Sequence, residues 1–319
     1  MPDEVALMAE LVFRALIIAT LAWWGAILFS ARLRKALWPR YRFHQLAWPL
    51  RDVLFVWLIF FVSMAVSAML PPQSKRGVLE TSVAPERCSA TSEPQDHVED
   101  EASRHVHWVL LLIRGDRSLG TLALCLVATG ILAPIVEEIL FRGLLQGWCH
   151  TLELQSRRNR LTARRIWGRM PVGAISIGVV ATLFAMAHYR LNQSPPAQEA
   201  IKTMVARQAI AYLLFLAAVS VIAVIRNPSR WARLFFDRRW FVRDLVFGTG
   251  WFLAALVPLY LVQGFLKSAL PKQTPADPFT MVFVGAILGI LFARTGRLTA
   301  SIIFHVLLNI TSLSLALLL

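Results

Sequence analysis

Apolar stretches long enough to cross a bilayer recur eight times along this chain. They fall at roughly 6–30, 51–70, 118–148, 171–194, 204–225, 242–266, 278–294 and 299–319 when about 20 residues are allowed per crossing. Hydrocarbon offers no partner to an unpaired backbone N–H or C=O, so each such segment must pair its own polar groups, which an α-helix does. The fold class that follows is all-α, a polytopic transmembrane helical bundle of about eight spans. The third stretch is long enough to kink or tilt, with Pro134 the obvious place for a break. With hydrophobic residues at 57% and charged residues at only 16%, an ordinary soluble domain is excluded. The first stretch begins Met1-Pro2-Asp3-Glu4 without a basic lead-in and runs to about Ser30, so it reads as a retained span rather than a cleaved signal.

The net charge of +14 raises the question of nucleic acid, and the placement of the cations answers it. They cluster between apolar segments: Arg32, Arg34, Lys35, Arg40, Arg42 and Arg51 after the first span, and Arg157, Arg158, Arg160, Arg164, Arg165 and Arg169 after the third. Arg226, Arg230, Arg233, Arg238, Arg239 and Arg243 follow the fifth, and Arg294 and Arg297 the seventh. No basic stripe with interleaved aromatics is present, so nucleic acid is not an expected partner. Four basic connections in alternation place those segments in the cytoplasm and both termini outside it. Cys88, Cys125 and Cys149 form neither a disulfide framework nor a zinc motif. The acidic, proline-containing stretch at about 71–117 reads as a solvated extramembrane loop. It divides the chain into two N-terminal spans at 1–70 and a main body at 118–319.

Inside that body, Glu137, Glu138 and Arg142 interrupt an otherwise apolar run. A charged Asp, Lys or Arg at the centre of a spanning helix costs about 2.5–3.5 kcal/mol on insertion scales, so three charged groups together need a compensating reason. Glu138 and Arg142 are spaced i,i+4 with the acid first, so the arginine can neutralise Glu138 and leave Glu137 available for work. The bland alternative is a buried ion pair that only fixes helix packing. Of the seven histidines, His188 and His305 alone fall well inside expected spans, and Asn309 shares a helix face with His305 one turn on. Taken singly, each of these reads as a polar residue bonding a neighbouring helix. One feature opposes their convergence: with a fourth span at 171–194, His188 lies roughly 10–12 Å nearer the outer face than His305.

Brought together, these residues have the parts to hydrolyse an acyl bond. Glu137 can take a proton from water that His188 helps to orient, while His305 and Asn309 donate to the carbonyl oxygen as charge develops on it. The same residues allow a second version, with Glu137, His188 and His305 as ligands of a divalent metal such as zinc. A proton- or ion-coupled transporter and a non-catalytic membrane scaffold are the competing readings. The carrier reading lacks an inverted repeat.

At these residues the chain resembles the intramembrane proteases grouped as CAAX prenyl endopeptidase type II and bacteriocin-processing (CPBP, or Abi) proteins. The matching motifs occur in order: Glu137-Glu138-x-x-x-Arg142, Phe184-x-x-x-His188 and His305-x-x-x-Asn309, with Gly285-x-x-x-Gly289 and the turn Thr295-Gly296-Arg297-Leu298 before the last. The resemblance covers about 118–319. It implies an intramembrane endopeptidase acting on membrane-associated substrates, possible classes being prenylated CAAX-type or bacteriocin-like peptides, in a bacterial plasma membrane. Glu137 would be its base, His188 the partner of that base, His305 and Asn309 the oxyanion pair, and Glu138 with Arg142 a supporting ion pair. Two further apolar segments, 204–225 and 242–266, separate the second and third motifs, a wider spacing than a compact member would have.

Overall fold

The computed structural model describes residues 2–33, 49–70, 108–158, 170–188, 198–226, 240–269 and 277–318. Among these residues the regular structure is all helical: α1 (Pro2–Phe29), α2 (Leu50–Met69), α3 (Trp108–Gly115), α4, α5 (Ala174–His188), α6 (Gln198–Arg226), α7 (Phe241–Ala269), α8 (Asp277–Thr295) and α9 (Leu298–Leu318). Here α4 denotes a continuous rod built from Leu119–Cys125, Leu126–Leu132, Ala133–Glu137, Glu138–Gln146 and Gly147–Arg158. Five helices are long and apolar enough to cross a bilayer: Leu50–Met69, Leu119–Arg157, Gln198–Ile225, Phe241–Leu266 and Leu298–Leu315. Arg14–Phe29, Ala174–His188 and Phe279–Thr295 are apolar but shorter. The eight apolar stretches thus all become helices of an all-α membrane bundle. The basic connections at 34–48, 159–169 and 227–239, and most of the acidic segment, lie outside the described residues.

One local expectation needs correction. The end of the segment read as a solvated loop is helix α3, whose Val109, Leu112 and Ile113 are buried; its apolar run Val109-Leu110-Leu111-Leu112-Ile113 gives those side chains a core to enter. On both sides of Pro134 α4 widens into π-helix, over Leu126–Leu132 and Glu138–Gln146, and the N–H of Ala133 bonds back five residues to the carbonyl of Ala128. Arg157 is not a free member of a basic connection but part of a largely buried clasp. Its Nε and Nη2 donate to Oε1 of Glu153 at 3.1 and 2.8 Å, and its Nη1 and Nη2 donate to the carbonyls of Met170 and Pro171.

That clasp fixes where α5 begins. Glu153 also accepts from the N–H of Gly173 at 2.8 Å and of Ser176 at 3.1 Å, two donors that the first turn of a helix leaves without an intrahelical partner. Gly173 enters the helix at φ 87°, a conformation few other residues adopt. Along its length α5 packs on α8. A Cβ at Gly285 would lie 2.9 Å from Cα of Ala181, so only glycine permits this approach.

Aromatic contacts join α2 to the centre. Trp57 meets the ring of Phe141 edge-on at 5.8 Å, and Phe60 meets Phe215 of α6 at 5.7 Å. Nη2 of Arg207 in α6 donates to the Leu70 carbonyl at 2.7 Å. At the start of α9, Arg297 forms a two-pronged ion pair with the buried Asp244 of α7 while its guanidinium lies 5.2 Å from the Trp240 ring. The helix bearing His305 and Asn309 is therefore pinned at its first turn.

Candidate active site

The middle of α4 supplies two adjacent carboxylates that point to different partners. Oε2 of Glu137 lies 3.4 Å from Nε2 of His188 and 3.7 Å from Nε2 of His305. Glu138 is fully buried, and its Oε1 lies 3.2 Å from Nδ1 of His305. His305 therefore stands between the two acids, with one ring nitrogen facing each. The Glu137 side chain is 18% exposed and that of His188 32%, so the side of the cluster bearing this pair is open while the His305 side is closed.

The anticipated offset between the histidines is absent. α5 begins at Ala174, so 14 residues, about 21 Å at 1.5 Å per residue, lead from its start to His188. Because Glu153 holds its first turn beside the far end of α4, His188 comes level with Glu137. Nδ1 of His188 lies 2.8 Å from the Phe184 carbonyl. A carbonyl oxygen only accepts, so Nδ1 is the donor and Nε2 is turned toward the carboxylate.

Phe184, one turn back, packs under the whole cluster. Its ring lies 4.4 Å from that of His188, 5.8 Å from that of His305 and 5.3 Å from that of Phe141. The Arg142 guanidinium sits 4.7 Å from the centre of the same ring. This arginine does not close tightly on its expected partner. Nε of Arg142 is 3.8 Å from Oε2 of Glu138, and no described residue hydrogen-bonds that oxygen or any of the three guanidinium nitrogens. The ion pair is one of proximity and cation–π contact rather than of fitted hydrogen bonds.

Asn309 is placed near the cluster but turned away from its carboxylates. Its Nδ2 donates at 2.8 Å to the backbone carbonyl of Thr129 in the first π-helical stretch of α4. The geometry thus gathers Glu137, Glu138, His188 and His305, sets Arg142 beneath them, and ties Asn309 to the backbone two turns earlier.

A family model described as type II CAAX prenyl endopeptidase Rce1-like matches residues 119–311, more than half of the chain. The chain belongs to this family. The match opens on the first residue of α4 and closes just beyond Asn309, so it takes in every residue of the cluster. An Rce1-like assignment makes the protein an integral membrane peptidase with an all-α bundle. Neither the curated proteins nor the solved structures gave a match.

Within this Rce1-like core, sequence reasoning missed two groups. Glu153 carries no mark of its own, although the spacing Glu153-x-x-x-Arg157 repeats that of Glu138 and Arg142. Tyr212 of α6 is buried and accepts from Nε2 of Gln208 at 2.6 Å. Its helix, one of the two intervening ones, packs against the Ala133–Glu137 stretch of α4. As for metal, among the described residues no group of three or more His, Cys, Asp and Glu is arranged to hold an ion. Glu137, His188 and His305 converge without forming such a ligand set.

Proposed function

We propose that this chain is an intramembrane endopeptidase that uses Glu137 to activate water against a peptide bond of a membrane-associated substrate. The substrate class best matched to its family is the C-terminal segment of a prenylated CAAX-type polypeptide. The observation carrying this reading is that one carboxylate oxygen of Glu137 faces Nε2 of both His188 and His305, within 3.4 and 3.7 Å, on the open side of a buried cluster.

A water molecule between Glu137 and His188 can donate one hydrogen to each, since Nδ1 of His188 already carries the ring proton of the neutral form. Its lone pair is then left for the substrate. Glu137 removes a proton as the oxygen bonds to the carbonyl carbon. The same proton passes to the departing amine when the C–N bond breaks, so acid and base are one residue in two steps. His305, held with Nδ1 toward Glu138, can donate through Nε2 to the oxygen on which negative charge develops. Glu138 and Arg142 set the charge around that imidazole. The basic connections favour a bacterial plasma membrane, with both termini outside the cytoplasm.

The test is cleavage of a farnesylated CAAX-type peptide by the purified protein in liposomes, with products identified by mass spectrometry. Glu137→Gln keeps size and polarity but removes the base, and should lower the rate by about 10²–10⁴ while the protein still folds. Wild-type cleavage by that variant would overturn the reading. The assay is repeated with a chelator, because loss of activity that zinc restores would return a metal to the mechanism. Uptake of an ion without proteolysis in either protein would favour the carrier reading instead.

A further inference from the structure

The start of α7 carries a cation that no described residue neutralises. Two guanidinium groups lie against the Trp240 ring, that of Arg243 at 5.0 Å and that of Arg297 at 5.2 Å. Only one of them has an acid. Both oxygens of the buried Asp244 are taken by Arg297, whereas Arg243 is exposed and pairs with no carboxylate among the described residues. Contact with an aromatic face holds a guanidinium in place without using up its charge or its N–H donors. Arg243 therefore presents a fixed, uncompensated positive charge.

Its surroundings identify what that charge meets. Arg243 is the third residue of a helix long and apolar enough to span, so it stands where hydrocarbon gives way to headgroups. Phe241, Val242, Leu245 and Val246 around it are exposed, while Asp244 and Gly248 turn inward to α9. The N–H groups that a helix start leaves unpaired add positive potential at the same end. An apolar face running on from a braced cation suits a molecule with a phosphate at one end and acyl chains at the other.

We infer that Trp240, Arg243 and the first turn of α7 form a docking site for the phosphate headgroup of an anionic glycerophospholipid, whose acyl chains lie along Phe241, Val242, Leu245 and Val246. Because the Trp240 ring also braces Arg297, a bound headgroup tightens the fastening at the first turn of the helix that carries His305. The site does not depend on the peptidase reading.

The full chain in nanodiscs of equal phosphatidylcholine and phosphatidylglycerol tests this, the lipids that stay bound on release being counted by native mass spectrometry. Phosphatidylglycerol should be retained in preference. Arg243→Gln should lower that preference about fivefold, the scale of one arginine near a charged membrane surface. Arg51→Gln is the control, since Arg51 is also exposed at the start of a spanning helix but lies 3.7 Å from Asp52. No loss in Arg243→Gln, or an equal loss in both variants, would mean that diffuse surface charge does the binding and would overturn the inference. Phosphatidylglycerol should also raise the melting temperature of the parent, and by less in Arg243→Gln. An equal rise from inorganic phosphate in phosphatidylcholine discs would show that the acyl chains contribute nothing, and would overturn it as well.

If Arg243→Gln does not fold, a phosphatidylglycerol with a photoreactive headgroup decides the matter on the parent. Crosslinks within residues 240–246 are expected, and crosslinks only elsewhere overturn the inference. Binding is read without substrate, so a parent that docks this lipid but cleaves nothing defeats the peptidase reading alone. A parent that cleaves but shows no lipid preference defeats the docking site alone.

Discussion

The rod α4 carries the spacing Glu-x-x-x-Arg twice, 15 residues apart, and the two copies behave differently. At the outer copy every polar group has work: Glu153 accepts from Arg157 and from the N–H groups of Gly173 and Ser176, and Arg157 also donates to two carbonyls. At the inner copy Glu138 and Arg142 approach only to 3.8 Å, in a π-helical stretch, with the guanidinium lying against an aromatic ring. Both acids are buried and both arginines largely so, and burial alone does not account for the difference. What separates the pairs is satisfaction. A fully bonded pair holds one geometry, whereas a pair with open valences lends its charge to neighbours, here His305 and Glu137. The first is a fastening and the second a field.

Several substitutions can break that distinction. The largest effect is expected from Glu153→Ala, which frees two helix-start N–H groups and leaves Arg157 without its acid. Removing one partner of a buried pair typically costs about 3–5 kcal/mol. The melting temperature in detergent should fall sharply, and cleavage with it, because α5 would lose the anchor that sets the depth of His188. An unchanged melting temperature would show that the clasp fastens nothing.

The double substitution Glu138→Gln with Arg142→Met should act in the opposite sense on stability. Exchanging a poorly bonded buried ion pair for neutral groups is often neutral or stabilising by about 1–4 kcal/mol. The carbonyl of the introduced amide can still accept from Nδ1 of His305, so the imidazole keeps its place. Cleavage should nevertheless fall, since the charge around the site has changed. Equal destabilisation by this change and by Glu153→Ala would erase the contrast between the two copies.

Gly285→Ala should come next. The added methyl meets the backbone of Ala181 in α5, not the end of a flexible side chain, and overpacking of that kind typically costs about 1–3 kcal/mol. A melting curve matching that of the parent would mean that α5 and α8 can separate freely, and that α5 is positioned by its clasp alone.

The contrast between fastening and field also bounds how far the sequence could be read. Apolar length exposes each helix because hydrocarbon penalises every alternative, and the scarcity of polar groups at depth singles out Glu137, Glu138, Arg142, His188, His305 and Asn309. The partner of each is another matter. Glu153 caps a helix that begins 21 residues later, and nothing in its own neighbourhood announces this. Asn309 reaches the carbonyl of Thr129 across 180 positions, a contact that no residue type marks. His188 looks displaced if α5 is started at 171, because the contact that sets its first turn comes from Glu153 and leaves no mark in the composition of α5 itself. Residue type is chemistry and was legible; register is tertiary and was not.

A third fastening, placed in water, sharpens the comparison at its weak end. Between α3 and α4, Oδ2 of Asp116 accepts from Oγ1 of Thr121 at 2.5 Å and from Nζ of Lys202 at 2.9 Å, tying the start of α4 to α6. These donors, with Ser118, hold its carboxyl well below the usual carboxylate range. A lowered pKa in the folded state means stability that is complete above the unfolded value of about 4 and is lost as pH falls toward the folded one. Asp116→Asn should therefore lower the melting temperature at neutral pH by less than Glu153→Ala or Gly285→Ala does, because solvent already screens the pair. The difference from the parent should narrow below about pH 4, where the unfolded carboxyl takes up its proton. A difference that widens on acidification would mean that the bonds to Thr121 and Lys202 do not favour the charged form. A fall as large as that for Glu153→Ala would show that satisfaction of the acceptor, rather than exclusion of water, sets the strength of these fastenings.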